Sequence, residues 1–288
     1  MRKFGRSYYL SVETQSGDTL AIEPPFTIEF DITRNTLSSA NVCSIRIYNL
    51  SAKHRNQILH NRYDTFTYRQ VQLKAGYGLN LPVIFQGNIT QAWSVREGSD
   101  YITAIECFDG GFGIANGMTN QAYPATTTQL SIIESLIAGG LPHTAAGTIG
   151  ETYTGVLKRG ASFSGNTMSL LKDIAGNGVF IDGEKVHALG DNECLLGPIE
   201  TIDSSSGLLG TPVREESMLT FDMIFEPRVA SGQIVYLNSS TAAAGVNNYY
   251  KVVSIKHKGL ISGAVCGDAV TTLGMFVGTS LLTSVGPS

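Results

Sequence analysis

Histidine and cysteine side chains could bind a metal ion, and the sequence contains five histidines and four cysteines. They are His54, His60, His143, His187 and His257, together with Cys43, Cys107, Cys194 and Cys266. Because no HxH, HExxH or CxxC spacing occurs among them, the sequence predicts no metal site. His54 and His60 are expected on different sides of a helix, and His257, between two lysines, in a solvated basic patch at a strand end. We predict that all four cysteines are free thiols that pack like small apolar side chains.

Two glycine-containing segments approach motifs of nucleophilic catalysis and of nucleotide binding, but each departs from its pattern. Residues 160–164 read GASFS, whereas a nucleophile elbow requires glycine where Ser164 stands, because the turn leaves no room for a side chain. Residues 111–117 read GFGIANG, in which the third glycine comes one place too late for a dinucleotide fingerprint. No Lys-Ser or Lys-Thr follows for a P-loop. We interpret Ser162 and Ser164 as loop or helix-cap serines and residues 111–117 as a link between two parts of the chain.

Paired carboxylates could catalyse glycoside hydrolysis, and acidic residues are paired at two places. Glu97 and Asp100 flank a turn, and Glu215 and Glu216 fall in a predicted loop. Acidic residues are common in surface turns, and this pattern gives no reason for the raised pKa that a general acid needs. The sequence therefore predicts a protein without catalytic residues and without a cofactor.

The composition indicates a folded protein that is unusually poor in charge. Of its 288 residues, 42% are apolar and 15% are charged, and 32 are glycine. This length allows two or three packed units, and the net charge of −4 provides no basic field to attract nucleic acid. The N-terminal residues lack the apolar core of a signal peptide, and no apolar stretch reaches the roughly 20 residues of a membrane helix. We expect synthesis in a cytoplasm and no membrane insertion.

The first of three zones, residues 1–110, is predicted to consist of strands. Phe26, Ile28, Phe30 and Ile32 alternate with polar residues, which places the four apolar side chains on one face of a strand. Further strands are predicted at 42–50, 71–77, 83–95 and 101–108, with a turn at 96–100. A short helix at 52–59 is predicted to begin at Ser51 as its N-cap.

The second zone, residues 111–194, is predicted to be a small α/β unit, and the third, residues 195–288, returns to strands. The α/β unit contains a helix that follows a Thr126–Gln129 capping box and ends at two glycines, a helix at 167–175, and a hairpin that turns at Asp182 and Gly183. The third zone has strands at 219–225, 233–237 and 249–256, a turn at 259–263 and a loose tail from residue 279. The order β, α/β, β is compatible with a duplicated β unit.

Several segments, taken together, resemble the baseplate hub proteins of tailed bacteriophages. They read FTIEFDITR at 26–34, ANVCSIRIYNLS at 40–51, VQLKAGY at 71–77, IFQG at 84–87, ITAIECFDG at 102–110, GLLGTPVR at 207–214, FEPR at 225–228 and YKVVSIKH at 250–257. The resemblance covers nearly the whole chain and lies in the order and spacing of all these segments.

This resemblance implies a mainly β fold with a smaller α/β insertion, in which residues 1–110 and 195–288 are two tail-tube-like β-barrel domains and residues 111–194 the α/β domain. It implies a homotrimer, whose six similar barrels would seat a six-fold tail tube on one side and a three-fold spike on the other. The implied partners are the tail tube protein, the central spike, the tape-measure protein and other baseplate proteins, with DNA passing through without sequence-specific binding. The implied location is the virion tail tip, assembled in the host cytoplasm. Some hubs carry a fused cell-wall hydrolase, for which we expect no room in this chain.

Two alternative functions belong to other classes. A phage cell-wall hydrolase needs a convergent pair of acids, and a receptor- or carbohydrate-binding β module favours exposed aromatic side chains on loops. Trp93, the single tryptophan, lies in a strand-like run and is predicted to belong to the core.

Overall fold

A computed structural model of the chain describes residues 4–37, 40–64, 66–241, 245–263, 267–276 and 282–286, without the side chains of residues 198 and 199. The first part forms β1 (Arg6–Glu13), β2 (Thr19–Ile22), β3 (Ile28–Asn35), β4 (Asn41–Tyr48), α1 (Ala52–Ile58), β5 (Gln70–Tyr77), β6 (Val83–Glu97) and β7 (Asp100–Asp109). The middle part forms α2 (Gly111–Asn116), β8 (Met118–Tyr123), α3 (Gln129–Gly140), β9 (Ala145–Ile149), β10 (Ala161–Asn166), α4 (Thr167–Ala175), β11 (Val179–Asp182) and β12 (Lys185–Ala188). The last part forms β13 (Glu193–Ile202), β14 (Leu208–Glu215), β15 (Met218–Ile224), β16 (Gln233–Leu237), β17 (Tyr249–Ile261), β18 (Ala269–Phe276) and β19 (Thr283–Val285). The fold is therefore mainly β, with most of its helix between β7 and β13.

Alternating burial confirms the strand predicted around β3. Ile28, Phe30 and Ile32 are buried, while the residues between them are only partly buried. Phe26 comes just before the strand and packs, partly buried, against the same hydrophobic cluster. The predicted hairpin of β6 and β7 and the predicted helix that begins after Ser51 are also confirmed.

The large sheet contains two sets of five strands that have the same spatial order and the same connectivity. The sheet runs β14-β15-β18-β17-β3-β4-β7-β6-β5-β1-β2, and β16 pairs with β17. The path β3-β4-β7-β6-β5 therefore has the same course as β14-β15-β18-β17-β16, and every neighbouring pair in both is antiparallel. We call β3–β7 the first repeat and β14–β18 the second repeat. The next strand differs, because β1 is antiparallel to β5 whereas β13 is parallel to β16.

The two repeats also match in register at their central strands. In the first repeat a buried row across β4, β7 and β6 consists of Cys43, Cys107 and Ile89. The corresponding row across β15, β18 and β17 consists of Leu219, Met275 and Val252. The register then shifts by one residue at the same place in both repeats, after Ile89 in β6 and after Val252 in β17. A shared irregularity at a shared position fixes the residue-by-residue equivalence of these central strands.

The repeats are joined inside the chain by β3 and β17, which pair antiparallel from Ile28 opposite Ile261 to Asn35 opposite Ser254. The turn predicted at 259–263 is wrong, since Gly259 lies inside β17. A Cβ at Gly259 would come within 3.0 Å of the Phe30 ring and within 2.9 Å of another side chain. The glycine is therefore a site of close approach between strands and not a turn residue.

The middle part of the chain packs around its own cluster, in which α3 and α4 cover β9, β11 and β12. The helix predicted at 167–175 is confirmed as α4. The capping box predicted at Thr126 is wrong, because Thr128 is the N-cap of α3 and its hydroxyl accepts a hydrogen bond from the Ser131 N–H at 3.2 Å. Thr126 has a positive φ of 74° and lies in the preceding turn. Of the three consecutive threonines at 126–128, the last is the N-cap in the folded chain.

The hairpin of β11 and β12 turns one residue later than predicted. Asp182 pairs with Lys185, so the two loop residues are Gly183 and Glu184. Both have positive φ, 62° and 60°, as a type I′ hairpin requires.

Three hydrophobic clusters fill the chain, and the first is shared between the repeats. It consists mainly of residues from β1 to β7 but includes Phe225, Ile261 and Ala269 from beyond β15. The path of the large sheet is open, with β14 and β2 at its ends. The tail predicted to be loose from residue 279 contains a strand, β19, which pairs with β13; residues 279–281, 287 and 288 lie outside the described residues. In the described part of the chain, no helix has the length and apolar character to cross a membrane.

Candidate functional site

The candidate catalytic residues lie on separate elements. Ser162 and Ser164 belong to β10, a strand paired with β8, so they do not stand on a strand-to-helix elbow. Glu97 ends β6 in the hairpin with β7. Glu215 ends β14, and Glu216, with a φ of 51°, forms the turn to β15. The interpretation of Ser162 and Ser164 as loop or helix-cap serines is therefore wrong, since both are strand residues, and the two acidic pairs lie on the hairpins of different repeats.

The three cysteines in the described part of the chain are buried. Cys43 and Cys107 lie directly opposite each other on β4 and β7, and both are free, as is Cys194. Cys266 lies outside the described residues. Burial raises the pKa of the Cys43 and Cys107 thiols well above the usual range and that of Cys194 to about 11. Across the described ranges, no group of three or more His, Cys, Asp or Glu side chains is placed to hold a metal ion.

His257 is buried in the centre of β17, and the predicted solvated basic patch is wrong. Its neighbours Lys256 and Lys258 face outward, and the alternation of the strand turns His257 inward to 0% exposure. Its Nδ1 lies 2.9 Å from the Thr271 hydroxyl, and its ring meets Phe225 edge to face. Burial, reinforced by the charge of a nearby arginine, lowers the pKa of His257 to about 3. The side chain is therefore neutral and belongs to the core.

A network of polar side chains binds the β11–β12 hairpin to the first repeat. At its centre is Asp109, which ends β7 and is 2% exposed. Its carboxylate accepts hydrogen bonds from the Gly183 and Glu184 backbone N–H groups, each at 2.7 Å, and from the Asn41 side-chain amide at 3.2 Å. The same amide donates to the Ile181 carbonyl at 2.8 Å. The turn of the hairpin is thus held by a carboxylate of another part of the chain.

Charged partners surround this turn on both sides. On one side, the Arg34 guanidinium donates to both carboxylate oxygens of Asp182. On the other side, the Glu184 carboxylate accepts from the Gln70 and Gln86 side chains, at 3.2 and 2.9 Å, and from the Tyr68 hydroxyl. Charge-assisted bonds of this kind are stronger than neutral ones, and their loss would leave buried groups without partners. We call this set, centred on Asp109, the hairpin clamp.

Burial and then the charge of Asp182 raise the pKa of Asp109 to about 7, against the N–H donors that favour its ionised form. A perturbed carboxyl group can mark an active site. Here both oxygens are occupied by backbone donors, so the group holds structure in place. The sequence pattern did not reveal the hairpin clamp, because bonded partners within it lie up to 148 residues apart, as Arg34 and Asp182 do.

Trp93 is exposed, and its predicted place in the core is wrong. Its side chain is 37% exposed on β6, and Val95, two residues further on the same face, is 42% exposed. Trp93 lies opposite Ala104 of β7, in the outward row that continues to Arg46 of β4. The large aromatic side chain therefore lies on a strand at the outer face of the sheet.

Several strand segments of the large sheet, β2 among them, have an edge that other described strands leave open, and two of these segments carry an exposed valine. One is β14, which ends the sheet and pairs with β15 alone. The other is the far half of β6, residues 93–97, because β5 pairs with β6 only as far as Asn88 and His60 bridges to Ala92. Open edges favour pairing with another strand. Exposed Val213 (55%) lies on the first edge and exposed Val95 on the second.

Comparison with known proteins finds a matching family and similar folds over most of the chain. Residues 9–259 match the family model described as baseplate hub gp41. The 43 kDa tail protein of prophage MuSo2 from Shewanella oneidensis has a TM-score of 0.61 at 8% identity, over 93% of this chain and 96% of that one. A tail protein from Neisseria meningitidis MC58 has a TM-score of 0.60 at 11% identity, over 95% and 97%.

A third solved structure is the E. coli c3393 protein, described as a component of the type VI secretion system with structural similarity to the T4 bacteriophage tail proteins gp27 and gp5. Its TM-score is 0.58 at 8% identity, over 87% of this chain and 73% of that one. At such identities these structures show a shared fold. Among curated proteins no match was found.

Proposed function

This chain belongs to the baseplate hub gp41 family, and we propose that it is a structural hub of a bacteriophage baseplate, acting by assembly and not by catalysis. A hub stands where the tail tube ends, and its task is to present a surface that both the tube and the spike can bind. The proposal therefore concerns surfaces and symmetry.

The observation that carries the proposal is the repeated five-strand path. Two similar units per chain allow three chains to present six similar units around one axis. A homotrimer of this kind would match a six-fold tail tube on one side and a three-fold central spike on the other. Cyclic closure would also cover strand edges that a single chain leaves open.

Within this proposal the chain has three domains, residues 1–110, 111–194 and 195–288, and the outer two act as tail-tube-like β-barrels. The separate hydrophobic clusters support the division, although the first cluster takes in three side chains from the far end of the chain. The hairpin clamp supports a fixed attachment of the middle domain to the first. Such rigidity suits a part that transmits load between tube and spike.

The proposed ring lines a conduit for DNA in the virion tail tip, and it is assembled in the host cytoplasm. A net charge of −4 suits a channel through which DNA passes without adhering, since basic surfaces bind phosphate. The partners in this proposal are the tail tube protein, the central spike, the tape-measure protein and other baseplate proteins. The similarity to a protein whose description names type VI secretion and T4 tail proteins is in keeping with a part at the end of a tube.

Quantitative mass spectrometry of purified particles from the phage or prophage that encodes this chain tests the proposal. We expect the chain in the particle at three copies, measured against isotope-labelled peptides and normalised to the major capsid protein. Absence from the particle, or six or twelve copies, contradicts it.

A further inference from the structure

The chain contains one junction between its two repeats, and the equivalence of the repeats defines the residues of a second. Inside the chain, β3 is the first strand of the first repeat. It pairs with residues 254–261 of β17, the half of that strand with which β16 does not pair. The strand that corresponds to β3 in the second repeat is β14, and the part of β6 that corresponds to this half of β17 includes residues 93–97. These two segments are the open edges described above, and within one chain they lie far apart in the strand order.

We propose that β14 of one copy pairs antiparallel with residues 93–97 of β6 in a second copy, repeating between chains the junction that β3 and β17 make within one. The inference rests on the proposed function only in taking the partner to be a second copy. The contact is head to tail, because each copy offers a different edge on each side. Such contacts form a closed ring when the rotation between copies permits it.

The register of the proposed contact follows from the paired rows of the two repeats. Asp31 lies opposite Ser44, as Val213 lies opposite Thr220, and these pairs occupy equivalent rows. In the same way Lys258 of β17 corresponds to Val95 of β6. Because Asp31 and Lys258 are opposite each other in the internal junction, Val213 and Val95 become opposite each other between copies.

The side chains at this pair suit the contact. The internal junction places acid and base together, with the Lys256 ammonium 3.5 Å from the Asp31 carboxylate. The proposed junction instead places two valines together, and in the single chain these are 42% and 55% exposed. Exposed β-branched residues on an open edge promote association, and facing valines would bury each other. Trp93, on the same face as Val95, extends the apolar surface.

Two residues limit the length of the contact. His60 already bridges to Ala92 through both backbone groups, so pairing begins after Ala92. Pro212 precedes Val213 in the stretch of β14 where the register with β15 shifts, and it has no N–H to donate to a partner strand. The contact is therefore short, and the apolar side chains contribute a larger share of its stability than in the internal junction.

A disulfide test exploits the geometry at the two valines. Ala92 bonds through N–H and C=O toward the open edge, so Val95, an odd number of residues away, faces Val213 as a non-hydrogen-bonded pair. Cα atoms of such pairs lie about 4.5 Å apart, within reach of a disulfide. The full chain carrying Val95→Cys is mixed at high concentration with the full chain carrying Val213→Cys, and the mixture is oxidised. We expect a covalent dimer from the mixture and from neither variant alone, and a series ending at the closed ring from the double variant.

The control replaces Val95→Cys with Ala21→Cys, because β2 is the opposite end of the sheet path and an exposed rival edge for β14. A link from position 213 to position 21, or no link at any soluble concentration, overturns the inference. If native mass spectrometry shows a trimer that fails to link through 95 and 213, the inference is wrong while the proposed function stands. If the chain pairs through 95 and 213 but particles contain six copies, the proposed function is wrong while the pairing stands.

A charge exchange gives a second test that needs no oxidation. Val95→Lys alone is expected to weaken self-association at least tenfold, because it places a charge against Val213. Adding Val213→Asp gives the two facing positions the residue types of Lys258 and Asp31, which face each other in the internal junction, and is expected to restore most of the lost affinity. Equal association of wild type and V95K, or no recovery in the double variant, counts against the proposed register.

Discussion

Arg34 on β3 and Asp182 on the β11–β12 hairpin are 148 residues apart in sequence, yet the guanidinium of one donates two hydrogen bonds to the carboxylate of the other. Both side chains are 10% exposed. This pair belongs to the hairpin clamp, in which Asp109 accepts the backbone N–H groups of the turn. The relationship fixes the α/β part of the chain against the first repeat.

Replacing Asp109 with Asn is expected to loosen that attachment. The amide retains a single acceptor oxygen and adds two donors, so at least one N–H of the turn loses its partner. Leaving a buried polar group unpaired costs about 1–3 kcal/mol of the free energy of unfolding. Urea denaturation followed by circular dichroism measures the change.

Asp173→Asn is the matched control for that variant, since Asp173 lies exposed on α4. Its free energy of unfolding is expected to change by less than about 0.5 kcal/mol. Equal losses in the free energy of unfolding for the two variants would show that the hydrogen bonds of Asp109 do not stabilise the fold more than an exposed carboxylate does.

His257 is expected to make the stability depend on pH. Its pKa in the folded chain is about 3, below the ordinary value of 6.5, so between these values the unfolded chain binds the extra proton. The contribution of neutral His257 to the free energy of unfolding is fully present above pH 6.5. It is lost as the pH falls toward 3, by about 1.4 kcal/mol per pH unit. His257→Gln should flatten the difference in unfolding free energy between pH 6.5 and pH 4.5.

His54→Gln provides the comparison, because His54 lies partly exposed on α1. This variant should keep the pH dependence of the wild type. A slope that survives in H257Q and disappears in H54Q would contradict the assignment.

Side-chain truncations on the two faces of β3 are expected to differ in their effect on the free energy of unfolding. Phe30 is 1% exposed and packs near the Phe225 ring, so Phe30→Ala should cost about 3–5 kcal/mol of the free energy of unfolding. Glu29 contacts Tyr48 at 3.3 Å but is 39% exposed, and Glu29→Ala should cost less than about 0.5 kcal/mol. Equal shifts in denaturation midpoint would mean that the buried face is misassigned.

The cysteines are expected to react slowly with an alkylating reagent because they are buried in the folded chain, and not because they form disulfides. Cys43, Cys107 and Cys194 are buried with raised pKa, so the native protein should react slowly with an alkylating reagent. The denatured, unreduced protein should take up four labels by mass, Cys266 included. Fewer than four labels would reveal a disulfide.

Local patterns predicted the elements whose side chains alternate clearly. The strand through Phe30, the helix at α4 and the β11–β12 hairpin needed no distant partner to be recognised. The predicted environments of His257 and Trp93 were wrong, because each was assigned from the neighbouring residues in the sequence. The phase of β17 turns His257 inward between two outward lysines, and β6 carries Trp93 on its outer face.

The hairpin clamp and the two open edges could not be derived from local pattern. Asp109 meets Gly183 and Glu184 only because the middle part of the chain packs back onto β7. The equivalence of the repeats likewise depends on strand order and on the shared register shift after Ile89 and Val252, while the residues in the matching rows differ. The two repeats therefore match in strand order and register, and not in residue identity.

The hub proposal is tested most directly by a cryo-EM map of the intact tail tip of the particle that encodes this chain. We expect three copies around the axis, each contributing its two repeats to one ring of six similar units in line with the tail tube. The Val95 and Val213 strands of neighbouring copies should adjoin in that ring. Six or twelve copies, or a position away from the line of the tube, would contradict the proposal.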